Sequence, residues 1–259
     1  MHSHINFGYP WLLTYAHLLI ALTALALWLL GRRLHWSRLL LLPIAAVTLW
    51  SFAAFLVVRF GLDINGRLPL PTPSFLASGS GKVLDMGAGS GRSSIMVLEG
   101  RPRTTVVALD KFGTEYVRHF GAGESGEEVI DVGRRRLLAN FRAAGVEQRA
   151  SIQPGDMRKL PFDAATFDAV VSTYAIDHLD RGGVASALNE ASRVLKPGGQ
   201  FLLMVIAKDF WVNFTFGPLL LHVHTRSAAR WVDLLHDAGF ETIEKGRRPG
   251  AFYFLARKS

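Results

Sequence analysis

Apolar and polar positions divide the 259-residue chain into two unlike parts. Trp11 to Leu30 is twenty residues without a charge, and Leu39 to Val58 is a second run of equal length. Each matches the ~20 residues a helix needs to cross the hydrocarbon core of a bilayer. Neither run carries a polar face, and Trp11, Tyr15, Trp28, Trp36 and Trp50 include several rings placed where interfacial aromatics sit. The pattern predicts a membrane hairpin over residues 1–60, with helices over about 11–30 and 39–58. Pro43 is expected in the first turn of the second helix, where a missing N–H costs little. Residues 61–81 (GLDINGRLPLPTPSFLASGSG) are rich in Gly, Pro and Ser and read as a semi-rigid linker ending in flexible glycines.

From Lys82 the pattern changes. Short β-rich runs at 82–85, 105–110, 150–153, 167–173, 200–206, 242–244 and 251–256 alternate with helical stretches at 90–98, 129–144, 184–195 and 227–238. Such alternation predicts an α/β domain over 82–259: a largely parallel, doubly wound sheet with helices on both faces. Ligands in such sheets bind beyond the carboxyl ends of the strands. The chain contains no cysteine, which excludes disulfides, cysteine-ligated metal sites and thiol nucleophiles. Its net charge of +8 is split evenly: residues 1–81 hold five arginines against Asp63, and the longer remainder is only mildly basic. No basic stripe interleaved with aromatics appears in the globular part, so nucleic acid is not an expected partner.

The first strand of that part turns through Asp85-Met86-Gly87-Ala88-Gly89-Ser90-Gly91-Arg92. Glycines spaced by two let backbone approach a ligand, and the following helix offers exposed N–H donors. The dinucleotide fingerprint requires a glycine at the sixth place, which here is Arg92, so the turn departs from the nicotinamide pattern. Asp110 ends the second strand, where a carboxylate can accept from a ribose diol or simply cap a turn. Asp156, after the third strand, is either an acceptor for an adenine amino group, with Met157 against the ring, or an ordinary Gly-Asp turn.

Taken together, VLDMGAGSGR at 83–92, VVALD at 106–110, GDMRKLPF at 155–162, FDAVVSTYAIDHL at 167–179 and RVLKPGGQFLLMV at 193–205 resemble the class I S-adenosylmethionine-dependent methyltransferases. The resemblance implies a Rossmann-like sheet of seven strands with the last antiparallel, and S-adenosylmethionine as cofactor. It places Asp85, Gly87, Ala88 and Gly89 along the methionine end, Asp110 at the ribose, and Asp156 with Met157 at the adenine. Ser172 and Thr173 would close over the methionine portion, mostly through backbone.

Methyl transfer from a sulfonium needs positioning more than chemistry from the protein. Asp177 and His178, beyond the fourth strand, are the expected catalytic pair for orienting or deprotonating an acceptor, with Tyr174 bordering it. The stretch 111–131 is longer than the usual connection and reads as a lid or as a plain surface insertion. The aromatic run from Phe210 to His224 reads as a cover on an apolar pocket, a surface pressed to the bilayer, or a connector packed on the sheet. His222 and His224 lack neighbouring acids, and no metal site is expected. The expected partners are a lipid bilayer and an apolar or quinone-like acceptor. An aminopropyltransferase on a similar fold and a non-catalytic membrane protein keeping the nucleotide pocket are the alternatives. A positive-inside count would put the arginine-bearing turn between the two helices in the cytosol, whereas a cofactor-using domain calls for the catalytic side to be cytoplasmic. A shallow hairpin would satisfy both.

Overall fold

The computed structural model describes residues 4–112, 129–217 and 225–259. Most of the 111–131 stretch, with its lid reading, and the end of the aromatic run, including His222 and His224, lie outside the described residues.

Two antiparallel helices, α1 (Trp11–Arg33) and α2 (Arg38–Leu56), form the hairpin, and α2 continues into a wide π-type turn at Val57–Leu62. At 1.5 Å per residue, α1 is about 34 Å long, enough to cross a hydrocarbon core. Both helices are long and apolar enough to cross a membrane, and most of their surface is uncovered: Leu39 is 84% exposed. Core helices of a soluble fold would bury those leucines. Tyr15 packs on Phe55 and His17 on Trp50, which fixes the pairing. The second helix starts at Arg38, so Pro43 lies in its second turn, not its first. The carbonyl one turn earlier, on Leu39, therefore loses its usual donor.

The globular part is a seven-stranded sheet: β1 (Ser80–Met86), β2 (Arg103–Asp110), β3 (Ala150–Pro154), β4 (Phe167–Thr173), β5 (Leu195–Ile206), β6 (Phe240–Arg248) and β7 (Ala251–Lys258). Their order is β3-β2-β1-β4-β5-β7-β6, and only β7 runs against its neighbours. The sheet implied by the resemblance is the sheet observed. Strand order reverses between β1 and β4, so the crevice for a ligand opens at their carboxyl ends. Alternation along β5 explains the two apolar layers: Phe201, Leu203 and Val205 enter one, Leu202 and Met204 the other. On one face lie α3 (Arg92–Gly100) and α4 (Val129–Ala143); on the other lie α5 (Arg181–Val194) and α7 (Ala228–Asp237). Asp180 and Ser227 cap α5 and α7 by accepting from the N–H groups of Gly183 and Arg230.

The stretch expected as a linker is pinned along the domain. Arg101 donates to the carbonyls of Phe75 and Pro73, Arg248 to that of Leu70, and Thr72 to Glu244, while Phe75 is fully buried. Its prolines set an extended strap whose carbonyls face those guanidinium donors. A short helix, α6 (Phe210–Phe216), follows β5 and carries the start of the aromatic run.

Candidate functional site

Asp85, the penultimate residue of β1, is fully buried at the head of the glycine turn. Ser93 and Ser94, from the first turn of α3, donate to its Oδ2 at 2.7 and 2.5 Å. Its Oδ1 is buried with no hydrogen-bond partner. Burial pushes this carboxyl up to about 6, against the pull of the two serine hydroxyls. Such an oxygen invites a ligand that donates a hydrogen bond or carries positive charge.

The glycine turn is tied to β2, because Gly87 and Ala88 both donate to the Leu109 carbonyl, at 2.9 and 3.0 Å. Gly87 has φ +80°, and a Cβ there would come within 2.8 Å of Met157 Cε and closer still to Ala175. The missing side chain lets the loops after β1, β3 and β4 converge on one point. Asp110 accepts from the N–H groups of Gly89 at 2.8 Å and Phe112 at 3.3 Å. Burial raises its pKa and these backbone donors oppose the rise. Gly155 N–H donates to the Asp110 carbonyl at 3.0 Å, which brings the Asp156 turn alongside.

Asp156 itself is already engaged: Arg158 Nη2 lies at 2.7 Å and Lys111 Nζ at 3.1 Å from its Oδ2. The hydrogen bonds from Arg158 hold its carboxyl well below the usual range. Ser172 Oγ donates to the Met86 carbonyl at 2.7 Å, so this hydroxyl clips β4 to β1. Thr173 is buried beside it. Tyr174 follows in a left-handed conformation (φ +53°), held by its N–H on the Met204 carbonyl at 2.9 Å. Burial pushes its phenol up to about 12.

The expected catalytic pair is divided. Asp177 is 5% exposed, whereas His178 is exposed. Asp177 Oδ2 accepts from Ile206 N–H at 2.9 Å, while Oδ1 is buried without a partner. Burial raises its pKa, and the neighbouring His178 and Arg226 charges oppose this. Arg226 lies over the Trp231 ring at 5.2 Å and keeps a buried, unpartnered Nη1.

Other contributors gave no local signal. Ser93 and Ser94 are recognisable only once the turn of α3 is built. The segment ahead of α1 also reaches the site: Phe7 is buried in the cluster containing Ala88 and Phe112, and Asn6 pairs with Asn140 of α4. On the far edge, α6 rests on the hairpin. Trp50 Nε1 donates to the Phe214 carbonyl and His17 Nε2 to that of Thr215, each at 3.1 Å. Phe210 and Trp211 remain largely exposed on the same short helix.

Residues 84–203 match the family model described as a methyltransferase domain. That span runs from within β1 to within β5 and includes the carboxyl ends of β1 to β4. Residues 84–203 form a methyltransferase domain. The methyltransferase domain is similar, at 34% identity over 133 residues, to a probable S-adenosylmethionine-dependent methyltransferase of Mycolicibacterium smegmatis, covering 47% of this chain and 49% of that one. A demethylmenaquinone methyltransferase of Symbiobacterium thermophilum is 28% identical over 136 residues, or 52% and 46% of the two chains. This chain thus spans about half the length of these curated relatives. Among solved structures, an S-adenosylmethionine-dependent methyltransferase of Methanosarcina mazei shares the fold with TM-score 0.56 and 20% identity, over 74% of this chain and 99% of that one. The cofactor of these methyltransferases is S-adenosylmethionine, and the site fits it chemically. Asp85 Oδ1 lacks a donor that an ammonium supplies, Asp110 stands at the β2 end with acceptor capacity for a diol, and Gly87 admits Met157 and Ala175 where a Cβ would collide with both.

Proposed function

We propose that the chain is a membrane-tethered methyltransferase acting on an apolar, membrane-partitioning acceptor of quinone-like or lipid character. The observation that carries this reading is the seat of α6. It leaves β5 at the mouth of the site and rests on both apolar helices through Trp50 and His17. Kinship with a demethylmenaquinone methyltransferase supports the acceptor class.

S-adenosylmethionine, when bound, supplies an electrophilic methyl group whose bonding pair stays on sulfur as the methyl leaves. The protein's share is placement. Asp85 is positioned to take the ammonium and Asp110 the ribose hydroxyls; Asp156, already paired with two cations, stands at the adenine end as a rim acceptor. Gly87, Ala88 and Gly89 present backbone, and Met157, Ser172 and Thr173 line the remaining walls. Asp177, rather than the exposed His178, is placed to receive a proton from the acceptor, since burial raises its pKa above that of an ordinary carboxylate. The domain is assigned to the cytoplasmic side, where the cofactor is made.

The test uses the full chain in membranes. S-adenosylhomocysteine should form, and one lipid-extractable compound should gain the mass of a methylene; Asp85→Ala should abolish both. Activity confined to a freely soluble polar acceptor and unaffected by deletion of residues 1–60 would refute the membrane acceptor. The cysteine-free chain also suits single-cysteine labelling, with His35→Cys and Ser259→Cys reporting which end of the hairpin faces the cytoplasm.

A further inference from the structure

We propose that the two chain segments entering and leaving the membrane hairpin hold the glycine turn in its cofactor-binding shape, with Phe7, Asn140 and Arg92 as positioning residues. This rests on the S-adenosylmethionine reading above. The first half of the turn is secured by the sheet, through Gly87 and Ala88 on the Leu109 carbonyl. The second half, Ser90 to Arg92, leans on the hairpin ends instead.

On the entering side, Asn140 is the hub. Its Oδ1 accepts from Asn6 N–H at 2.8 Å, and its Nδ2 donates to the Asn6 carbonyl at 2.9 Å and the Ser90 carbonyl at 2.8 Å. One buried amide therefore joins the segment ahead of α1, helix α4 and the glycine turn. Phe7, 1% exposed, is buried in the same apolar cluster as Ala88, Phe112 and Phe141. On the leaving side, Arg92 donates through Nε to the Gly66 carbonyl at 2.8 Å and through Nη2 to the Asp63 carbonyl at 2.6 Å. Its guanidinium also lies over the Phe7 ring at 5.9 Å, so the two segments meet on one side chain. Arg92 opens α3, whose first-turn serines hold Asp85. A shift at Arg92 thus propagates to the carboxylate and to the backbone donors of the turn. Affinity that depends on pre-set donors falls when the support for them is loosened.

The decisive measurement is the Kd of S-adenosylhomocysteine for the full chain in lipid nanodiscs, by calorimetry. Phe7→Ala should weaken binding at least about tenfold. Arg92→Lys should do the same, because an ammonium cannot reproduce a guanidinium's two directed bonds. Hydrogen exchange of amides 88–92 should quicken in both variants without ligand. Phe240→Ala, equally buried but in the opposite apolar layer, should lower Tm while leaving Kd and that exchange within twofold. Wild-type Kd and exchange in Arg92→Lys would overturn the proposal, and that variant decides if Phe7→Ala does not fold. A wild-type chain that binds no S-adenosylhomocysteine would instead refute the cofactor reading, and this proposal with it.

Discussion

Replacing Asp85 by asparagine should stabilise the cofactor-free fold while crippling cofactor binding. The carboxyl is wholly buried, and it titrates near 6 in the fold against 3.8 for an ordinary aspartate. Ionisation therefore opposes folding. The cost is absent below pH 3.8, grows between that value and 6, and is complete above about 6. At 1.36 kcal/mol per pH unit it amounts to about 3 kcal/mol at pH 7.5 and roughly half that at pH 5. Asparagine keeps the shape and an oxygen for the hydroxyls of Ser93 and Ser94 but carries no charge. The variant should melt about 6–12 °C above wild type at pH 7.5, with the gap shrinking toward pH 5. Calorimetric titration with S-adenosylhomocysteine should show the opposite trend, with affinity lost in the variant. In the wild type, affinity should fall about tenfold per pH unit below 6, because the ammonium prefers the ionised carboxylate. A variant less stable than wild type at both pH values would refute the idea of an uncompensated buried charge. Unchanged binding would remove Asp85 from the ammonium site.

Three further outcomes are expected. Gly87→Ala places a Cβ against Met157 and Ala175 at a left-handed φ, so it should cost about 1–3 kcal/mol and weaken cofactor binding more than about tenfold; an unaltered Tm and Kd would mean the two neighbours yield freely. Asp177→Asn should lower kcat about 100-fold with cofactor Kd unchanged, and His178→Ala should stay within about threefold. The reverse order in single-turnover assays would return the proton-transfer role to the exposed imidazole. Trp50→Phe keeps an aromatic ring, though a smaller one, and deletes the N–H to Phe214, costing at least about 1 kcal/mol, or roughly 2–4 °C in Tm. An unmoved Tm would show that α6 does not depend on this bond.

The sequence made the sheet legible because β1, β2 and β3 are short runs that end at glycines and aspartates on the ligand side. The pattern places β4 residue for residue at Phe167–Thr173 and Asp110 at the end of β2, while β1 runs one residue past Asp85. Local pattern could not reach contacts between distant segments. Phe7 and Asn140 lie on opposite sides of the cofactor motif in sequence, and nothing around either marks their shared place. The prolines of 69–73 described an extended chain correctly in form, but not that Arg101, Arg248 and Glu244 of the domain would fasten it. His178 shows another limit: residue chemistry alone offers Asp177 and His178 as a pair, and only the 3₁₀ turn at Ile176–His178 shows that Asp177 is buried while His178 is exposed.

The hairpin ends and α6 all gather at the carboxyl edge of the sheet, where the site lies. On the proposed reading, that arrangement makes catalysis a surface reaction. An acceptor dissolved in the bilayer would reach the mouth by lateral diffusion, never passing through bulk water, while the cofactor arrives from solution. The quantity governing turnover would then be the acceptor's mole fraction among the lipids. Diluting the membrane with inert lipid should slow the enzyme, whereas diluting the whole suspension with buffer should leave the rate per enzyme unchanged.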